Sequence, residues 1–454
     1  MKTSLRVVTA LSLCLSLCLV ALRSAGADDF AAARQRNWHH WRGPDADGVA
    51  PRAEPPVEWS RENGIEKNIQ WKIPVPGEGS STPIVWEERI FLLTAVKTER
   101  VDDSIPEPED QPERPFGIKF PRNVYRFVVL CIDRASGKVM WERTACERVP
   151  HEGRHPNNSF ASGSPTTDGE RLYASFGSSG VYCYDLNGEP RWKRDLGDME
   201  TRHSFGEGAS PVIHGDTLVV NWDHDGPSRI FALDARSGKT RWERPRDEKT
   251  PWNTPLIVEG AGRTQVVVSA TNRVRSYDLE TGDLIWECGG QVTNVIPSPV
   301  ALDDLVFCMS GYRGNAVYAI SLGSKGDITD GDGVVWTRDR GAPYVPSPLL
   351  YGDLLFFTQS NRGNLSCVRA RSGELLIDRE RLPGIRGLYA SPVGAAGRIY
   401  ITGRDGTTLV VRRGPRLEVL ATNRLGEPVD ASPAIAGKQI FLRSAKHLFS
   451  IAAE

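Results

Sequence analysis

The chain has 454 residues, with 56 Lys+Arg against 57 Asp+Glu, 44 Gly, 31 Pro and 12 Trp, and a formal charge of −1. That balance excludes the basic excess of a nucleic-acid binder, and the even spread of apolar residues excludes a low-complexity disordered chain. The length exceeds one ordinary core and calls for several domains or a closed repeat array.

In chain order, residues 1–27 read as an export leader. Lys2 and Arg6 give a basic start, Val7 to Leu22 is apolar, and Ala25-Gly26-Ala27 supplies small cleavage-site residues. Leu13 and Leu17 stand before Cys14 and Cys18, where lipoprotein processing needs a small residue, so lipid anchoring is not expected. The expectation is an exported protein of the periplasm or cell exterior, monomeric and without a membrane span. Residues 28–67 form an extended segment ahead of the repeats.

Asn68-Ile69-Gln70-Trp71-Lys72 reads as an outer strand. A Ser-Pro or Thr-Pro dipeptide then begins at Thr82, Ser164, Ser210, Thr254, Ser298, Ser347, Ser391 and Ser432. Each is followed by short apolar strands, a Gly/Asp turn, an apolar–small–apolar strand and a Gly turn. Four residues beyond that glycine stands Trp141, Trp192, Trp242 or Trp286; Trp336 comes one residue early, and Ile377 replaces the tryptophan once. A period near 44 with four strands per unit is that of a propeller blade. Eight such units predict an all-β, eight-bladed propeller over residues 68–454. The last unit lacks its fourth strand, so the strand of Trp71 is expected to close the ring. On this reading, deleting residues 28–59 is milder than deleting residues 28–72.

The long first interval contains residues 99–122, acidic and rich in proline, expected as a mobile loop and not as a strand. Cys131, Cys183 and Cys367 fall at one repeat position that Ala232, Ser276, Ala319 and Ser450 fill elsewhere. That is a small buried slot, not a disulfide framework. Cys146 and Cys288 follow repeat tryptophans, and their pairing stays open.

The run Asp133-Arg134-Ala135-Ser136-Gly137-Lys138-Val139-Met140-Trp141, repeated at 234–242 and 278–286, resembles the tryptophan-docking motif of pyrroloquinoline quinone (PQQ) repeat propellers. The run Trp38-His39-His40-Trp41-Arg42-Gly43-Pro44-Asp45-Ala46-Asp47-Gly48 resembles the opening of exported bacterial PQQ-like proteins. The resemblance covers residues 38–454. It implies structural docking roles for Trp71, Trp141, Trp192, Trp242, Trp286 and Trp336. One branch of the family, the quinoprotein alcohol dehydrogenases, holds PQQ and calcium and carries a Cys-Cys pair, which this chain lacks. The other, similar to BamB-type outer-membrane assembly proteins, uses the scaffold for protein contacts. The expected function is accordingly a non-catalytic binding scaffold of the periplasm or envelope, with no cofactor. A PQQ-dependent oxidoreductase with calcium is the alternative, and a hydrolase or lyase a more distant one.

The eight histidines show no metal-ligand spacing, and no phosphate loop or nucleophile elbow occurs, so no metal or catalytic residue is expected. Asp327 to Gly333 lacks the oxygen pattern of a calcium loop and reads as a polar turn. Blade geometry offers more. Two loops of each blade open on one face, which brings His155, Asn157, Phe205, Glu207, Trp252, Asn253, Asn294, Tyr344, Tyr389 and Asp430 toward Asp223, His224, Arg273, Arg313, Arg362 and Arg404. The candidate ligand-binding set is Arg273, Arg313, Arg362, Arg404, Glu207, Asp223, His224, Asn253, Asn294 and Tyr344. The four arginines are expected to form an arc for an anionic small molecule or an acidic segment of an envelope protein.

Overall fold

The computed structural model describes residues 30–62 and 65–453; the expected leader lies outside them. Eight blades of four antiparallel strands succeed one another around a ring, at 84–148, 166–194, 212–245, 256–288, 300–338, 349–381, 393–424 and 434–451; the hairpin Ser60–Glu62/Ile65–Lys67 adds two strands to the seventh, and one further strand joins the fourth. The eighth blade takes its outer strand from the other end of the chain: Ile69–Pro74 pairs antiparallel with His447–Ile451. The edge of His447–Ile451 is thereby covered, the eighth blade reaches four strands like the others, and the ring is closed. Among the described residues no helix is long and apolar enough to cross a membrane.

The repeat motif is a docking device. The indole N–H of Trp141 donates to Leu186 O (3.0 Å), of Trp192 to Ala235 O (2.9 Å), of Trp242 to Leu279 O (2.8 Å) and of Trp336 to Ala370 O (2.9 Å), each in the next blade. Trp71 does the same across the closure, donating to Arg134 O at 3.1 Å. The motif glycine is needed because the ring lies flat on it. A Cβ on Gly238, which has φ +69°, would sit 2.7 Å from the Trp192 ring. The small slot follows from register: Cys131, Cys183, Ala232, Ser276, Ala319 and Ser450 stand directly opposite the docking tryptophans, and Cys367 stands opposite Ile377. All six described cysteines are free thiols.

Trp286 departs from the pattern. It is fully buried, and its indole N–H donates to Gln265 Oε1 of its own blade at 3.2 Å. After its third strand, blade five makes an excursion whose Gly326–Asp327 pairs parallel onto blade four, occupying the place of the usual docking turn. The polar turn at 327–333 is thus a strap between blades.

The insertion also differs from expectation. The strand Arg89–Val101 includes Glu99–Val101, because its partner Asn123–Asp133 is long enough to continue the ladder. The remaining loop is cross-linked internally. Gln111 is buried and bonds Pro106 O, Phe120 O and the Phe120 N–H, while Arg122 binds Ile105 O, Asp103 and Glu107.

Residues 38–59 are not a loose leader into the ring. Trp38 forms a bridge with Val85 of blade one, and Thr167 of blade two donates to His39 O. Arg42 reaches Pro348 O of blade six (2.7 Å) and Pro392 O of blade seven (2.9 Å). Ala50 pairs with Gly394, Glu54 with Gly437, and Trp59 with Asn423 Oδ1. Trp38, Arg42 and Trp59 are each at most 2% exposed.

Candidate functional site

The Ser/Thr-Pro dipeptides build the floor of the site. The backbone N–H of each Ser or Thr donates to the hydroxyl of its counterpart one blade on: Thr82 to Ser164, Ser164 to Ser210, Ser210 to Thr254, Thr254 to Ser298, Ser298 to Ser347, Ser347 to Ser391 and Ser391 to Ser432. Every distance lies between 2.9 and 3.0 Å. Seven links therefore run around the axis as a belt of hydroxyls. The proline that follows each one has no N–H to leave unpaired at this innermost edge.

Above the belt lies a cavity of about 330 Å³. Its wall is aromatic: Phe205, Trp252, Tyr312, Tyr344 and Tyr389, with His155 and Phe116 at the rim. Phe205 stacks on Trp252 (6.3 Å between centroids) and Tyr312 on Tyr344 (4.7 Å). Phe116, from the insertion of blade one, meets His155 and Phe205 edge-on and is 67% exposed. It holds φ +59°, a left-handed conformation costly for a bulky residue. From below, Trp41 of the N-terminal segment lines the same cavity while its neighbour Arg42 grips the carbonyls beneath the belt. Trp41, Thr254 and Ser298 also line a further cavity of about 230 Å³ that includes His39, His40 and Arg42.

Of the ten candidate ligand-binding residues, Tyr344 lines this cavity. The arginines do not converge on it. Arg273 pairs with Asp327 of the blade-five strap (2.8 Å) and with Glu287 (3.5 Å). Arg313 lies over Tyr312 at 5.3 Å and, like Arg362, is exposed. Arg404 makes two hydrogen bonds to Asp430 (2.7 and 2.9 Å) and stacks on Tyr389 at 4.0 Å, so its charge is already met at the rim.

Glu207 turns away between blades, accepting from the Ser178 N–H (2.8 Å) and hydroxyl. Asp223 forms a fully buried bidentate pair with Arg246 (2.7 and 2.9 Å), whose Nη1 also meets Tyr277 Oη. Burial holds the pKa of His224 down. Its Nδ1 accepts from the N–H groups of Glu200 and Gly226, as a neutral imidazole does. Asn253 is fully buried, with neither side-chain atom hydrogen-bonded, and does not line the cavity. Asn294 is buried behind Tyr344 at φ +57°.

The residues that do shape the cavity come mostly from the loops leading into the innermost strands, with Tyr312 from the loop between the second and third strands of blade five, together with Trp41, Phe116 and the hydroxyls. The hydroxyls had a signal in the sequence: all eight positions carry Ser or Thr and none carries the Ala or Cys tolerated in the small slot. Trp41 and Phe116 had none, since both belong to non-repeating segments.

Ring, belt and aromatic mouth together define a PQQ-like β-propeller. The family described as outer membrane protein assembly factor BamB matches residues 126–377, and the chain belongs to it. In fold it is similar to the quinohemoprotein alcohol dehydrogenase ADHIIG from Pseudomonas putida, with a TM-score of 0.55, 10% identity and coverage of 93% of this chain and 81% of that one. It is also similar to BamB from Moraxella catarrhalis, at a TM-score of 0.49 and 15% identity over 80% and 98% of the two chains. In sequence, 103 residues are 34% identical to the serine/threonine-protein kinase AfsK of Streptomyces griseus. They amount to 22% of this chain and 12% of that protein.

Proposed function

We propose that this protein is a non-catalytic binding scaffold of the cell envelope whose aromatic mouth receives a protein partner. The observation that carries the reading is the aromatic cavity walled by Phe205, Trp252, Tyr312, Tyr344 and Tyr389. Rigid aromatic side chains bury large area at small entropic cost and are the usual anchors of protein contacts. Membership of the BamB family supports an envelope location and a protein partner.

The donor set of the mouth does not suit PQQ with calcium. Among the described residues, Asp430 is the sole carboxylate in the lining, and Arg404 holds both its oxygens. Calcium takes about six to eight oxygen ligands, several of them commonly carboxylate.

The test is a pull-down from envelope extract with the full protein beside its Trp252→Ala/Tyr344→Ala variant. A discrete partner recovered by the first and lost by the second is the expected result. In parallel, PQQ and Ca²⁺ are added to purified protein. A stoichiometric bound-quinone spectrum with dye-linked alcohol oxidation would overturn the scaffold reading.

A further inference from the structure

A second, smaller cavity of about 60 Å³ lies between blades two and three and adjoins the mouth. His151, Glu152, Ser178, Glu207 and Asn221 are among the residues that line it. One ligand-type atom from each of His151, Glu152 and Glu207 lies within 4.8 Å of the other two. Both carboxylates are held in place. Glu152 accepts from the Thr201 N–H (3.2 Å) and hydroxyl, and Glu207 from the N–H and hydroxyl of Ser178. Neither pairs with a Lys or Arg among the described residues. Two carboxylates this close, one of them buried and neither paired with a cation, repel one another.

An independent observation points the same way. Asn221 is 5% exposed, and its Oδ1 has no hydrogen-bond partner. A buried carbonyl oxygen without a donor is costly and signals a missing electrophile. His151 Nε2 lies 2.7 Å from Met199 O, the type of second contact that fixes the tautomer of a ligating imidazole and leaves Nδ1 its lone pair. Asp198 Oδ1 stands 3.9 Å from that Nδ1.

We propose that this cavity binds one divalent transition-metal ion of the Zn²⁺ or Mn²⁺ type, through His151, Glu152, Glu207 and the amide oxygen of Asn221. An imidazole among oxygen donors selects such ions over Ca²⁺ and Mg²⁺, which prefer oxygen alone. The ion would tie the segment leaving blade one to blade three, beside the mouth. The ligands are 55 residues apart in sequence, between Glu152 and Glu207, so no spacing motif announces them.

The experiment uses the full chain, stripped with EDTA and dialysed, then titrated calorimetrically with ZnCl₂, MnCl₂ and CaCl₂ and scanned for Tm. One equivalent of Zn²⁺ or Mn²⁺ should bind and raise Tm. Glu152→Gln and Glu207→Gln, which keep side-chain volume, should weaken binding about 100-fold or more, beyond what loss of an outer-shell contact does. Asn221→Asp adds a charge at the same volume, and binding should tighten even if the Gln variants fold poorly. The proposal is overturned if wild-type protein binds no metal, if the Gln variants bind unchanged, if Asn221→Asp does not tighten binding, or if Ca²⁺ binds at least as tightly as Zn²⁺.

Discussion

Replacing Ser298 by Ala isolates one link of the hydroxyl belt. The Thr254 N–H loses its acceptor at 3.0 Å, while the N–H of residue 298 still donates to Ser347 Oγ. Thr254 and Ser298 are 4% and 6% exposed, so the freed donor is buried. An unsatisfied buried N–H costs about 1–3 kcal/mol, and water reaching it from the adjoining cavity places the expected loss near the lower end, about 1–2 kcal/mol. Ser298→Thr keeps the oxygen and should restore most of this. Adding Ser432→Ala removes the link from Ser391, which shares no residue with the first. The two losses should then add within about 0.5 kcal/mol. Urea unfolding followed by tryptophan fluorescence reads the midpoints, compared at constant slope because a ring of this size need not unfold in two states. If Ser298→Ala matched wild type while Ser298→Thr did not differ from it, the belt would be an accident of strand spacing and the argument would fail.

Two further outcomes follow from the N-terminal segment and the closure. Deleting residues 30–59 should be about as damaging as deleting through Lys72. It removes Trp38, Trp59 and Arg42, and truncating one buried tryptophan alone costs about 3–5 kcal/mol; soluble yield and Tm of the two truncations measure this. Glu427 receives Lys72 of the closing strand (2.7 Å), Ser444 (2.6 Å) and His447 (2.8 Å). Burial alone would raise its pKa, but these bonds outweigh it and hold the carboxyl at about 2. A depressed carboxylate gives stability that is present above about pH 4.5 and lost as pH falls toward 2, on the order of 3 kcal/mol. Glu427→Gln should therefore flatten the acid limb of a Tm–pH profile, and a limb of unchanged slope would contradict the assignment.

The fold was legible because each of its signals is local and repeated. Ser/Thr-Pro, the Gly turn and the tryptophan four residues later recur within one blade, and the blade count places the missing strand at Trp71. The mouth was legible only in part, because equivalence in the repeat fixes where a backbone stands and not what its side chain meets. Arg273 and Arg404 occupy like positions, yet one finds Asp327 on a strap from the next blade and the other finds Asp430. Glu207 and Asp223 likewise leave the mouth for Ser178 and Arg246. Trp41 was invisible for another reason: what fixes it is Arg42 bonding Pro348 O and Pro392 O, partners 306 and 350 residues away.

These long-range contacts also decide how the site can be used. The ring is closed twice, at the outside by the strand of Trp71 and at the axis by the segment around Trp41. Gly43 and Gly48 make the second closure tight: a Cβ on Gly43 would sit 2.8 Å from the Trp38 ring, and one on Gly48 2.2 Å from Arg42 Nη2. Trp41 at one side of the cavity and the exposed Phe116 at its rim are both supplied by segments outside the repeats. The belt fixes the radius of the innermost strands, and stacking fixes the rings of Phe205, Trp252, Tyr312 and Tyr344. Little side-chain order remains to be lost when that cavity is filled. A preorganised aromatic mouth converts buried area into affinity more fully than a flexible one, because fewer side chains have to be ordered when it is filled.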